Sequence, residues 1–296
     1  MKYIYNLSVI LSFFIIGQLF LSCANSTNDE SISEVADEIS NEQQDDDQEV
    51  EEELIDEDSQ FIPPSPLQIA SIFNKAGMHF IYDLPNSPDL VSSYTSKFKQ
   101  SVVFGVYSSD LAYCIVNDKY DEASSYLKVI RELGNKIGLE TVFQSDDIIA
   151  KFEDNIGSKD SIISLLIHIQ ENTDDYIAEN ELDELSVIYF SGAWIEGMYL
   201  GSKTLLEKRD GKIGGILSEQ ITIAEIISNG IKNMPDKSDE VKDLLDIIED
   251  IIDTYHNFES VINLGEDVAF IDAILKDDEV TLLANKVIEL RNTLIQ

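Results

Sequence analysis

Two acids stand where acids are costly. Asp110 lies in the apolar run from Val102 to Val116, and Glu196 in the run from Val187 to Leu200. Each run is apolar almost all round, as a central helix should be. A carboxylate on such a helix needs a partner, because burying an unpaired charge is strongly unfavourable. Two buried carboxyls could work as an acid–base pair if their environments separate their pKa values, as in a helical glycosidase. Helical spacing puts Asp110 on one face with Tyr107 and Tyr113, and Glu196 with Tyr199. Two readings follow. In one, Tyr107, Asp110, Tyr113, Trp194, Glu196 and Tyr199 line a ligand pocket between helices. In the other, the acids take hydrogen bonds from tyrosines, serines or a facing base and lock the helices together.

Other reactive residue types are sparse. His79, His168 and His256 are far apart and lack a His or Cys partner at metal-ligand spacing. His168, within Leu165–Ile169, reads as a satisfied histidine on a helix edge. There is no His-Glu-x-x-His, no Gly-x-Ser-x-Gly and no phosphate-binding glycine loop. Asp174-Asp175 and Asp277-Asp278-Glu279 lack EF-hand spacing; Asp277 and Asp278 suit the start of a last helix and its dipole. No cofactor or metal is indicated and no catalytic residue is assigned. Cys114 sits in an apolar run without a basic neighbour and reads as a core residue.

Cys23 is different. It closes an apolar run from Leu7 to Leu21, with Lys2 ahead of it and Ser22 just before it. A basic start, an apolar core and a small residue at the cut make a secretory signal, and the run is short for a membrane span. Ser22-Cys23 resembles the end of a lipobox, the lipoprotein signal of bacteria, with Phe20 where Leu is favoured. The resemblance implies lipidation of Cys23 after removal of residues 1–22. Cys114 then has no intramolecular disulfide partner.

An acidic segment follows. Residues 29–58 hold 16 Asp or Glu in 30 positions and no Lys or Arg. Such a stretch buries too little apolar surface to offset its ordering entropy and should be an extended tether over 23–64. Asn28-Asp29-Glu30 also resembles the acidic surface-export signal of some lipoproteins. The chain carries −37 formal charge; removing Lys2 and the sixteen tether acids leaves residues 59–296 at −22. That balance opposes nucleic-acid binding and adsorption to anionic lipid.

Residues 65–296 read as an all-α bundle of about nine or ten helices, with two pseudo-repeated halves around the two apolar central helices. Ala123, Tyr126, Leu127, Ile130, Leu133 and Ile137 follow the helical period and Gly138 ends the run. Ser158 and Ser238 suit N-caps, and Val280 to Leu294 forms a terminal helix. Phe104-Gly105-Val106-Tyr107-Ser108-Ser109-Asp110-Leu111-Ala112-Tyr113 aligns with Phe190-Ser191-Gly192-Ala193-Trp194-Ile195-Glu196-Gly197-Met198-Tyr199. With the Tyr126-Leu127 helix and the Ser158–Ser161 helix start, this pattern resembles an uncharacterised family of helical lipoproteins from Bacteroidota. The resemblance implies localisation and fold, not activity. The expected protein is a lipid-anchored, non-catalytic component of the cell envelope. It would sit in the outer membrane, on its periplasmic face or at the cell surface, held by lipid on Cys23 and binding an envelope protein partner or small ligand. The alternatives are a hydrolase using the two acids and a purely structural tethered lipoprotein.

Overall fold

A computed structural model describes residues 64–144, 148–208, 211–264, 269 and 273–296. Cys23 and the acidic tether lie outside the described residues. The architecture is all-helical, with nine helices of seven or more residues packed together among the described residues. They are α1 (Pro66–Lys75), α2 (Lys97–Val116), α3 (Tyr120–Ile137), α5 (Ile148–Asp154), α6 (Lys159–Glu179), α7 (Asp183–Lys208), α8 (Gly211–Asn233), α9 (Asp239–His256) and α11 (Asp277–Leu294). Short turns of helix, α4 (Glu140–Gln144), α10 (Glu259–Ile262) and a 3₁₀ turn at Pro88–Ser93, fall between them. No described helix is long and apolar enough to cross a membrane.

Local chemistry sets the helix ends. Ser65 accepts from the Gln68 N–H while Gln68 reaches back to the Ser65 N–H, a reciprocal capping box with Pro66 in the first turn. Gly138 closes α3 at φ 101°, a left-handed conformation that a side chain would oppose. Ser238 caps α9 through the Val241 N–H. Ser158 takes the N-cap position of α6 as expected, but without a side-chain cap bond: its hydroxyl pairs with Ser161 Oγ at 2.8 Å. Asp277 and Asp278 open α11, yet the capping is done by Glu279, which accepts from the Lys276 N–H at 2.8 Å and also holds the Ser260 N–H and hydroxyl.

α2 and α7 form the centre, buried along most of their lengths. Their backbones touch. A Cβ on Gly105 would stand 1.7 Å from the Tyr189 carbonyl oxygen, and one on Gly192 would stand 2.1 Å from the Val102 carbonyl oxygen. The Ser109 hydroxyl, one turn on from Gly105, donates to the Ala193 carbonyl at 2.6 Å. The other glycines of α7 receive α1: Ile69 fills the space over Gly197, and Phe73 the space over Gly201. The three glycines of α7 therefore make room for two neighbouring helices.

This geometry makes opposite predictions for two helical glycines. Gly105→Ala drives a methyl into a carbonyl and should cost about 3 kcal/mol or more of unfolding free energy in urea titration. Gly215→Ala, on α8 where a Cβ meets nothing within 4 Å, should stabilise by about 0.5–1 kcal/mol.

Candidate functional site

The close crossing of α2 and α7 decides what Asp110 and Glu196 meet. Both side chains are wholly buried, close enough that the charge of Glu196 acts on the Asp110 carboxyl. The aligned acids of the two apolar segments thus come together.

The base between them comes from the other end of the chain. Arg291, on α11, donates from Nε to Glu196 Oε2 at 2.6 Å and from Nη2 to Glu196 Oε1 at 2.8 Å. This is a bidentate fork, the strongest geometry for such a pair. Its guanidinium also lies over the Tyr199 ring, 4.1 Å from the centroid, where the negative ring face favours a cation. Arg291 is only 5% exposed. Burial pulls its pKa down, but the charge of Glu196 and the bonds to it outweigh burial and the net shift is upward.

Asp110 is the odd member. Its Oδ2 accepts from the Asn86 backbone N–H at 3.1 Å, while Oδ1 has no hydrogen-bond partner among the described residues. Burial, and then the charge of Glu196, hold its pKa well above the ordinary carboxylate range; Arg291 and the Asn86 N–H pull the other way and do not prevail. The flanking tyrosines do not bond to Asp110. Tyr107 donates to the Ser87 carbonyl at 2.9 Å. The Tyr113 hydroxyl donates to the His79 carbonyl at 2.6 Å and accepts from the Ile81 N–H at 2.7 Å. All three polar groups on this face of α2 therefore grip the segment between α1 and α2. Trp194 is wholly buried, and its indole N–H has no partner among the described residues.

Of the six residues singled out in the sequence, the structure gathers Asp110, Glu196 and Tyr199 around Arg291. Tyr107 and Tyr113 border them. Sequence reasoning missed Arg291 and Asn86. Arg291 did leave a signal: Leu283, Ala284, Val287 and Leu294 are the buried stripe of α11, and Arg291 occupies the stripe position between Val287 and Leu294. A charge on an apolar stripe points to a buried countercharge. Asn86 left none, because only its backbone N–H is used.

The remaining reactive groups are engaged elsewhere. His79 meets Glu207 at 3.3 Å, His256 meets Glu225 at 2.8 Å, and His168 pairs with Asn172. Cys114 is wholly buried, and burial pushes its thiol pKa up, away from thiolate chemistry. No group of three metal-binding side chains occurs among the described residues. No protein-family model matches the chain, and no curated protein or solved structure matches it.

Truncating Arg291 leaves the buried Glu196 carboxyl without its partner. Arg291→Met should cost about 3–5 kcal/mol in equilibrium unfolding. Arg291→Lys should recover only part of this, because an ammonium lacks the planar fork and the stacking face. The sole tryptophan, Trp194, supplies the fluorescence probe.

Proposed function

We propose that this chain is a lipid-anchored cell-envelope protein without catalytic activity, whose helical domain binds a protein partner or small ligand at the end of an acidic tether. The anchor half rests on the apolar run ending at Ser22-Cys23 and the acidic residues 29–58 after it. Several acyl chains on one cysteine would hold firmly, since each buried CH₂ contributes about 0.8 kcal/mol. The tether's charge and that of residues 59–296 keep the domain off anionic lipid. An outer-membrane location, on either face, fits this arrangement.

The non-catalytic half rests on one observation: the acid pair is closed in, and Glu196 is occupied. General acid–base catalysis needs a carboxyl within hydrogen-bond reach of substrate. Asp110 and Glu196 are each 0% exposed, and both oxygens of Glu196 are held by Arg291. This favours an architectural use of the acids over a hydrolytic one. Binding would then fall to the outer surface.

Metabolic labelling with an alkyne palmitate tests the anchor. The wild-type chain should carry label and stay in the membrane fraction after carbonate washing. Cys23→Ala should lose both. Label on the Cys23→Ala chain, or none on the wild type, would contradict the anchor.

A further inference from the structure

Among the described residues, one aromatic side chain stands open to water. Tyr82 is 66% exposed, and every other large apolar residue exposed there is Ile or Leu. A ring offers what an aliphatic chain does not: a flat face and, in tyrosine, a polar edge. Tyr82 is open but not loose. Its hydroxyl accepts from Lys119 Nζ at 3.3 Å, and its ring meets that of Phe80 at 89°, with 5.0 Å between centroids. Phe80 stacks in turn on Tyr113 at 5.2 Å. Tyr113 is wholly buried on α2, and its hydroxyl clamps the backbone on both sides of Phe80, at His79 and Ile81. Tyr82 is therefore held from the core outward before anything binds, which lowers the ordering cost of binding.

Two polar groups flank the ring. Lys119 has no ion pair among the described residues, because the neighbouring carboxylate of Asp118 is taken by Lys159 at 2.8 Å and by the Tyr120 hydroxyl at 2.9 Å. An ammonium carries three N–H donors, and among the described residues Lys119 gives only one, to Tyr82. Asp83 follows Tyr82; it is exposed, and its carboxylate has no partner among the described residues. Asp83 and Asp118 are two of the three described non-glycine residues with left-handed backbone, at φ 61° and 58°. Such conformations persist where the surroundings over-determine them, and they gather at ligand clamps. An open ring face with a donor and an acceptor beside it fits a pyranose. A pyranose has a face of C–H groups, which make weak contacts with an aromatic face, and a rim of hydroxyls, which donate to a carboxylate and accept from an ammonium.

We propose that Tyr82 is the platform of a surface site for a neutral saccharide, whose ring stacks on the open face of Tyr82 while its hydroxyls donate to Asp83 and accept from Lys119.

Charge narrows the class to neutral sugars. The −22 of residues 59–296 repels an anionic glycan, and Lys119, at the ring itself, opposes a cationic one. The site rests on the reading that the helical domain binds at its outer surface, and it names the ligand; it does not depend on the anchor. It also leaves the buried acids to their structural use, since Tyr82, Asp83 and Lys119 belong to the segment before α2 and the turn before α3.

Saturation-transfer NMR on the full chain, in a detergent without sugar headgroups, tests the site with neutral probes: cellohexaose, chitohexaose, maltohexaose and xylohexaose. At least one should receive saturation on its ring C–H protons. Tyr82→Ala should weaken that binding by about tenfold or more with the melting temperature unchanged, because the side chain is exposed. Tyr82→Phe keeps the ring and should lose no more than about threefold. Asp83→Asn, which tolerates the left-handed backbone, should lose about threefold to tenfold, and it carries the test if Tyr82→Ala does not fold. Binding that persists undiminished in these variants places the sugar elsewhere and overturns the site. Saturation of no probe overturns the saccharide. Photo-crosslinking in intact cells from a photoreactive residue in place of Tyr82 then separates the two failures: a protein caught there overturns the saccharide but keeps surface binding, and nothing caught counts against both.

Discussion

The fold depends on how it tolerates two carboxylates in its centre. Desolvating such groups costs several kcal/mol each, and only close countercharge with every lone pair engaged offsets it. Arg291 supplies that countercharge to Glu196, with a two-armed contact and a stacked face on Tyr199. The two partners are 95 residues apart, so the last helix is drawn onto the central one by a contact that only the assembled bundle can make. Such a pair adds less to stability than its geometry suggests, but it penalises any packing that separates its members. It therefore acts on specificity: α11 has one place to dock.

Backbone approach is the second half of the same constraint. Gly105 and Gly192 bring α2 and α7 so close that a methyl on either would collide with a carbonyl. Ser109 crosses the gap to Ala193. At that separation Asp110 of one helix and Glu196 of the other are both shut in the interior. The acids and the glycines are thus parts of one device, in which the glycines set the spacing and the acids set the register. Tyr107, Asp110 and Tyr113 then hold 76–96 through its backbone at Ser87, Asn86, His79 and Ile81.

Much of this was legible in the chain. Helical periodicity gave the bundle and its long elements, and the uniformly apolar segments marked α2 and α7 as central. Asp110 and Glu196 were conspicuous because charge is rare on such helices. Short elements were not legible: Glu140–Gln144 and Glu259–Ile262 span barely a turn and show no period. Ser158 looked like a cap from its place alone, whereas cap geometry depends on a rotamer that Ser161 captures. The partner of Glu196 was readable only as an anomaly, Arg291 on an otherwise apolar stripe. The partner of Asp110 was invisible, because a backbone N–H carries no sequence signature. The tyrosines at helical spacing from Asp110 were expected to serve it; they serve the neighbouring segment instead, since their hydroxyls extend past the acid to the loop carbonyls.

The account holds that these acids build the protein rather than act on a substrate. A double-mutant cycle in equilibrium unfolding tests it most directly, with Glu196→Leu, Arg291→Met and the two combined. Each single change leaves one buried charge without its partner, whereas the double change removes both. The account predicts that the combined variant loses far less than the sum of the singles, with a coupling of about 2 kcal/mol or more. Costs that add to within about 0.5 kcal/mol would contradict it, and would mean that Glu196 and Arg291 do not depend on one another.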